Sequence, residues 1–280
     1  YQYQDLIQKH NVSVFSPNFA LYGDMSHRVM TLLSEYSPDI EIYSIDEAFL
    51  KFDGFELFDL QSYGETISKN VKKHTGIPIS VGIAPTKALA KIANRIAKKF
   101  PQQTNSCYYI NTEEQRIKAL KWTRIEDVWG IGRQHSKKLQ NIGIQNAYNF
   151  TLLEDAWVKK HMSIIGLRLK HDLQGIPTLD IEHIQAKKNI ATTRSFETNY
   201  TSFDQIKERV ATFAISCSEK LRKQKSNCST LLVFIHTNGH RKDLPQYSKN
   251  CVIQLPYATN SAIDIAKFAI VALQKIYKPG

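Results

Sequence analysis

The sequence predicts a mixed α+β protein with more than one domain, and three features of the chain lead to this prediction. Its 280 residues are 42% hydrophobic and 22% charged, a globular composition that suffices for two or three modest domains. Short β-prone runs alternate with amphipathic helical patterns up to about residue 110, and a mostly helical stretch follows from residue 125. The last part of the chain has the order β-α-β-β-α, which is typical of a small α+β domain.

The charge balance favours an anionic partner. Lys and Arg outnumber Asp and Glu by 37 to 26, which gives a formal net charge of +11. No single basic tail holds this excess, so it lies on folded surfaces and favours nucleic acid or an anionic membrane. No apolar run approaches the ~20 residues of a transmembrane helix, and no signal peptide opens the chain, which argues against the membrane.

The cysteines predict free thiols in a reducing, cytoplasmic setting. They are widely scattered and show no CxxC spacing, which disfavours both a disulfide framework and a zinc site. The four positions are Cys107, Cys217, Cys228 and Cys251.

The chain opens with a predicted short helix over residues 1–10 and a candidate strand over residues 12–15. Apolar residues then recur at helical spacing from Phe19 to Tyr36, which predicts an amphipathic helix that ends before Pro38.

Two adjacent carboxylates interrupt the β-prone run that follows. We expect strands at about residues 41–45 and 48–51, with Asp46 and Glu47 at a sharp bend, because neighbouring side chains on a straight strand point to opposite faces. Two hard oxygen ligands on a rigid hairpin suit Mg²⁺. The alternative is an ordinary acidic turn, which is the commoner role of an Asp-Glu pair, so other stretches must decide.

A basic stripe follows the acidic run. After a helix over residues 60–74 and a buried strand over residues 77–83, the sequence predicts a helix over residues 86–100 and a strand over residues 107–110. The predicted helix over residues 86–100 carries four positive charges on one face, at positions i, i+4, i+8 and i+11. They are Lys87, Lys91, Arg95 and Lys98. Such charges repel one another unless an anion lies against them, so a solvated surface and a phosphate site are both open. An acidic hairpin beside a lysine helix is what nucleotidyl transfer requires.

A Gly-x-Gly turn opens the helical stretch. Gly130, Ile131 and Gly132 precede a basic run with Arg133, Lys137 and Lys138, and Gly143 follows. Such a turn between two short helices exposes backbone N–H groups to an anion. A helix-hairpin-helix that grips DNA phosphate is therefore favoured over a tight helix–helix turn. Residues 158–175 continue as helix and turn.

The last part begins after a polar linker at residues 186–189. The expected elements are a strand over residues 190–196, a helix over 203–223, strands over 230–237 and 252–255, and a helix over 263–276. His236 and His240 imitate a metal pair, but the Asn238-Gly239 dipeptide between them signals a turn, so no metal site is expected there.

At these residues the sequence resembles the Y-family translesion DNA polymerases, within the UmuC branch, which holds the catalytic subunit of bacterial DNA polymerase V. The motifs occur in family order along the whole chain: LYGDMSHRVM, EIYSIDEAF, SVGIAPTKALAKIAN, VWGIG with KKL, and TTRSF. The resemblance implies a polymerase palm with a mixed sheet and helices, a helical thumb and an α+β little finger.

The resemblance also implies roles for particular residues. Asp46 and Glu47 would bind the two catalytic Mg²⁺ ions, and Lys98 would reach the incoming triphosphate. The thumb turn would contact duplex backbone, and the RSF motif would open the little finger, which lies along DNA. The predicted DNA-contacting residues are Lys87, Lys91, Arg95, Gly130, Ile131, Gly132, Arg133, Lys137, Lys138, Arg194 and Ser195.

Several family features have no match. Family members begin with a strand bearing DxNxFY, which supplies a third metal-binding Asp and an aromatic that excludes ribonucleotides, and they carry an arginine and a tyrosine that hold the triphosphate. The chain also starts at Tyr1 without a Met and stops before the last little-finger strand and the clamp-binding tail. We therefore expect part of a palm (residues 1–121), a thumb (122–186) and most of a little finger (187–280).

The resemblance implies error-prone translesion synthesis by two-metal nucleotidyl transfer in the SOS response, with damaged template-primer DNA and dNTP as substrates. Members of this branch work with a processed accessory subunit, a recombinase filament and a sliding clamp. A non-catalytic DNA-binding fragment is the alternative from another class, because the third metal carboxylate is not found. A two-metal nuclease is weaker, since no nucleophile-activating His and no further acidic cluster accompany the pair.

Overall fold

The computed structural model describes residues 3–182, 187–196, 198, 200–241 and 243–279. They belong to two compact units, Tyr1–Ile184 and Gln185–Gly280. Helices and short strands occur in both units, so the predicted α+β class is confirmed. None of the described helices combines the length and apolar character that crossing a bilayer requires.

The first unit contains most of the helices. Its described elements are α1 (Gln4–Lys9), α2 (Phe19–Leu33), β1 (Ile40–Ile42), β2 (Ala48–Leu50), α3 (Leu60–Thr75), β3 (Val81–Ile83), α4 (Lys87–Lys99), α5 (Pro101–Thr104), β4 (Cys107–Tyr109), α6 (Glu113–Trp122), a 3₁₀ turn (Ile125–Asp127), α7 (Arg133–Asn141), α8 (Ala147–Thr151) and α9 (Asp155–Leu173). The sheets are small. β1 pairs antiparallel with β2, and β3 pairs parallel with β4. Among the described residues these are separate two-stranded sheets and not the single mixed sheet that was expected.

One face of the β1–β2 hairpin packs against a hydrophobic core. Its partly buried apolar side chains pack against a core that α2 and α3 share, where Val29, Leu33, Ile67 and Val71 are buried. Asn18 caps α2 by accepting a hydrogen bond from the Leu21 amide at 3.0 Å. The bend that joins the two strands, residues 43–47, contributes no residue to this core.

Helix α4 packs tightly against β3 because a glycine lies between them. A Cβ at Gly82 would lie 2.0 Å from the backbone nitrogen of Asn94 and 2.3 Å from the carbonyl of Ala90, both in α4. The inward face of α4, with Leu89 and Ile92, belongs to a core that also takes residues from α6 to α9. This close packing fixes the outward face of α4 relative to the strands.

Helix α9 is two helices joined at a sharp break. Ser163 has a φ of 65° and a ψ of −173°, which a non-glycine residue adopts only under constraint from its surroundings. Lys170 Nζ lies 2.5 Å from Asp155 Oδ1, whereas fifteen residues of straight helix would separate the two by about 22 Å. The two halves therefore fold back on each other. Helix and turn over residues 158–175 were predicted and are present, but the break at Ser163 was not predicted.

The second unit is a hairpin covered by two helices. Its described elements are α10 (Phe203–Lys223), β5 (Cys228–His236), β6 (Ser248–Thr259) and α11 (Ala262–Ile276), with β5 antiparallel to β6. The side chains of Val233 and Leu255 on the strands, and of Ile265 and Leu273 on α11, are buried. Strand β6 is much longer than the predicted residues 252–255.

Two predicted strands are wrong. Residues 12–15 form no strand, and the exposed side chains of Val14 and Phe15 have no apolar surface to cover. Residues 190–196 also form none. There, Lys220 in α10 donates a hydrogen bond to the Ala191 carbonyl at 2.7 Å, so a side chain occupies a group that a strand would offer to a ladder.

Candidate active site

The acidic pair lies at the bend of the β1–β2 hairpin, as predicted. Ile42 pairs with Ala48, and five residues make the connection. The amides of Tyr43 and Ser44 both donate to the Glu47 carbonyl, at 3.0 Å each, which closes the turn. Asp46 and Glu47 are therefore presented side by side at the end of a rigid hairpin.

The two carboxylates have different surroundings. Asp46 is exposed, and its Oδ1 accepts a hydrogen bond from the Ser44 hydroxyl at 2.6 Å. Glu47 is partly exposed and forms an ion pair with Lys91 of α4. Within the described part of the chain, no third His, Cys, Asp or Glu joins them to make a group of three possible metal ligands. Two accessible carboxylates are nonetheless the hard oxygen donors that Mg²⁺ takes, with its remaining positions filled by water or phosphate.

The basic stripe on α4 is largely neutralised by the protein itself. Lys87 pairs with Glu41, Lys91 with Glu47, and Arg95 with Asp127. The anions that such a stripe requires are thus carboxylates of neighbouring elements. Lys98, the fourth cation, is exposed and forms no ion pair with any residue that the structure describes. Of the four, it is the one whose charge remains available to a ligand.

The pair of Lys87 and Glu41 is the most deeply buried ion pair at the site. Both side chains are 10% exposed and their charged atoms lie 2.5 Å apart. Lys87 Nζ also donates to the Asp180 carbonyl at 2.6 Å, and the Glu182 amide donates to Glu41 Oε2 at 2.6 Å. The chain that follows α9 is thereby fastened across β1 and the start of α4.

A second set of ion pairs connects the segment after α9 to the hairpin. Lys51, just after β2, forms ion pairs with Asp53 at 3.1 Å and with Asp180 at 3.2 Å. Hydrogen bonds to these carboxylates raise the pKa of Lys51. The pKa of Asp180 is lowered, mainly by the hydrogen bond from the Ile181 amide and then by Lys51.

An aromatic cluster connects the acidic hairpin to the glycine turn. Trp129 donates its indole N–H to the Tyr43 hydroxyl at 3.1 Å, and its ring lies 5.9 Å from the ring of Phe49. Sequence reasoning missed this contact, and it missed the role of Glu41. The only signal in the sequence was that Glu41 is a third carboxylate in the β-prone run, and no local pattern pairs Trp129 with Tyr43.

The glycine turn begins helix α7. Gly130 has a φ of 88°, which favours glycine, and Gly132 is the residue that precedes the first turn of α7. Ile131 between them is buried. Arg133, Lys137 and Lys138 lie on α7 with exposed side chains, and Lys138 contacts His161 at 3.1 Å. Burial and the nearby lysines lower the pKa of His161.

Comparison with known proteins decides the family. The impB/mucB/samB family profile matches residues 2–95, and the profile of that family's C-terminal domain matches residues 187–280. The chain is 35% identical to the protein UmuC of Salmonella typhimurium and 33% identical to the protein ImpB of the same organism; each match takes in the whole chain and 67% of the relative.

The chain belongs to this family as a UmuC-like member, and its fold is that of the Y-family DNA polymerases. It spans about two thirds of the length of these curated relatives. A solved structure with a similar fold is the Y-family DNA polymerase chimera Dbh-Dpo4(243-245)-Dbh, with a TM-score of 0.75 and 20% identity over 97% of this chain and 75% of that one.

The predicted site residues of this UmuC-like chain divide between the two units. Asp46, Glu47 and the α4 cations lie together in the first unit, where the tryptophan of the glycine turn also meets the hairpin. Arg194 and Ser195 lie exposed in the second unit. The roles assigned to these residues, and the three-part division into palm, thumb and little finger, stay predictions.

Proposed function

We propose that this chain carries the catalytic carboxylates of a translesion DNA polymerase that copies damaged templates as part of a DNA-damage response. The observation that supports this most strongly is the acidic pair at the bend of the hairpin, held beside a helix of cations in a member of the Y family. An ordinary acidic turn would need no such helix against it.

Asp46 and Glu47 would hold the divalent cations, with two Mg²⁺ ions expected in the complete site. When bound, such ions make the primer 3′-hydroxyl a better nucleophile and stabilise negative charge on the leaving pyrophosphate. The hairpin contributes rigidity, since the Glu47 carbonyl accepts two amide hydrogen bonds across the bend. The Ser44 hydroxyl holds Asp46, and Lys91 holds Glu47.

Lys98 would meet the phosphates of the incoming nucleotide. Its exposed ammonium is not neutralised within the described residues, unlike the three cations before it on α4. A fixed cation beside the departing phosphates stabilises the charge that develops there.

The DNA would be held by its backbone. The glycine turn and the exposed cations of α7 offer amides and positive charge to phosphate oxygens, a contact that positions DNA without reading sequence. Arg194 and Ser195 of the second unit add a further proposed contact. The proposed partners are template-primer DNA and dNTP, together with a processed accessory subunit, a recombinase filament and a sliding clamp in the cytoplasm.

Primer extension tests this proposal. The protein in its full-length form is incubated with four primed templates that differ only in the templating base, with Mg²⁺, Mn²⁺ or a chelator. We expect incorporation that follows the template and stops with the chelator. Incorporation that ignores the templating base, or that continues without divalent cations, would contradict the proposal.

A second function fits one specific observation. Among the described residues no third metal-ligating side chain joins Asp46 and Glu47. On this second proposal, the 280-residue chain binds DNA but does not catalyse nucleotidyl transfer. The same assay on the 280 residues alone separates the two functions, provided that duplex binding is measured in the same samples. Duplex that is bound but not extended supports the second function, whereas extension by the 280 residues excludes it.

A further inference from the structure

The cations of α4 form two kinds of ion pair with the hairpin. Lys87 and Glu41 are both 10% exposed, and each makes a further hydrogen bond, Lys87 to the Asp180 carbonyl and Glu41 to the Glu182 amide. Lys91 is 19% exposed and Glu47 is 38% exposed. Among the described residues, the Lys91 ammonium donates a hydrogen bond to Glu47 only. The first pair is enclosed by the protein, and the second is open to solvent on one side.

The position of Lys91 is fixed from both ends. Its backbone lies in the middle of α4, between the buried residues Leu89 and Ile92. Its ammonium lies 5.5 Å from the ring centroid of Tyr43, a cation–π contact. Tyr43 is itself held, because its hydroxyl accepts the hydrogen bond from Trp129. The charge is therefore kept at the bend of the hairpin.

An ammonium at this place has a direct consequence for a metal ligand. A carboxylate that already has a cation in contact with it gains less from a second cation, because the two positive charges repel each other at short range. Mg²⁺ binds through carboxylate oxygens and holds them at about 2.1 Å, so it cannot share the Glu47 oxygen with the ammonium without cost.

We propose that Lys91 is the resident counter-ion of Glu47, and that Glu47 exchanges this ammonium for a divalent cation when the site is loaded. Lys91 is thus a positioning residue. It holds the carboxylate at the bend while the site is empty of metal, and it weakens metal binding by the charge that must be displaced. The inference rests on the proposed function, since it takes Glu47 as a metal ligand.

Binding of terbium, a trivalent probe for carboxylate sites, tests the exchange. Terbium is titrated into the chain, and its luminescence is excited through the protein's tyrosine and tryptophan side chains. Lys91→Met removes the charge but keeps much of the length, so we expect it to bind terbium about tenfold more tightly. Lys91→Arg keeps the charge and should stay within about twofold of the native chain. Lys99→Met is the matched control, because it removes one charge from the same helix without breaking an ion pair of the described structure, and it should also stay within about twofold.

The outcomes separate the two proposals. If Glu47→Gln weakens terbium binding but Lys91→Met does not tighten it, Lys91 is only a structural ion-pair partner, and the counter-ion proposal fails while the metal site stands. If the native chain, Glu47→Gln and Lys91→Met all bind terbium alike or not at all, the metal site itself is wrong and both proposals fail.

A measurement on the native chain covers the case in which Lys91→Met does not fold. Amine acetylation is followed at each lysine by mass spectrometry, with and without terbium. The exchange predicts that Lys91 reacts at least about twofold faster with terbium, because its ammonium is released from Glu47, while Lys87 does not change. An unchanged or slower reaction of Lys91 would overturn the proposal.

Discussion

The four cations of α4 differ in what lies against them, and this difference sets what each can do. Glu41, Glu47 and Asp127 neutralise the first three. Lys98 projects from the last turn of the same helix with no such partner in the described structure. At the scale of single residues, the positive charge of this stripe that the protein does not neutralise therefore lies at the C-terminal end of α4.

Lys98→Ala should consequently impair the use of the incoming nucleotide and leave DNA binding nearly unchanged. We expect kcat/KM for dNTP to fall about tenfold or more, with template-primer affinity changed by less than about twofold. Lys99→Ala is the matched control, because Lys99 lies against the rings of Phe100 and Trp122. Steady-state single-nucleotide incorporation checks both variants. Equal losses in the two would contradict the assignment.

Sequence reasoning succeeded at this scale where the chemistry is local. The bend between Asp46 and Glu47 followed from strand periodicity over a few residues. The pairing of Lys87 with Glu41 and of Trp129 with Tyr43 joins positions far apart in the chain. Such contacts depend on how the elements pack, and no local pattern specifies that packing. The sequence predicted that the like charges of the basic stripe repel one another unless an anion lies against them. It did not predict that these anions are carboxylates of the protein itself.

At the scale of elements, the site depends on the close approach of α4 to β3. Gly82→Ala would place a methyl group into the backbone of α4, near Asn94 and Ala90. We expect the free energy of unfolding of the first unit to fall by about 3 kcal/mol. Unfolding in urea followed by tryptophan fluorescence reports on this unit alone, since Trp122, Trp129 and Trp157 all lie in it.

Gly23→Ala is the control for this prediction. Gly23 lies inside α2 with no atom within 4 Å of an added Cβ, so alanine should stabilise the unit by up to about 1 kcal/mol. If Gly82→Ala behaved like Gly23→Ala, the close packing of α4 on β3 would be wrong.

Elements with a strong periodic pattern were predicted well, and elements defined by their partners were not. The helices α2, α3, α4, α10 and α11 match their predicted ranges to within a few residues. The strands at residues 12–15 and 190–196 were wrong because a short apolar run becomes a strand only if a neighbour offers a ladder. The extra length of β6 comes from its pairing with β5 along most of both strands.

At the scale of the whole molecule, the excess positive charge should govern DNA binding. The proposed backbone contacts of α7 predict that replacing Arg133, Lys137 and Lys138 together by Ala weakens binding and lowers the log–log salt slope by about 3. A variant of α3 that removes the exposed charges of Lys69, Lys72 and Lys73 has the same net charge and should change the slope much less. Fluorescence anisotropy at several salt concentrations measures both, and equal slopes in the two variants would remove α7 from the proposed interface.

The central proposal is that Asp46 and Glu47 are required for nucleotide incorporation and contribute little to DNA binding. The most direct test compares the full-length protein with its Asp46→Asn and Glu47→Gln variants, measuring single-nucleotide incorporation and template-primer affinity in the same samples. We predict that each variant loses nearly all incorporation while its DNA affinity stays within about twofold of the native protein. Normal turnover by either variant would contradict the account.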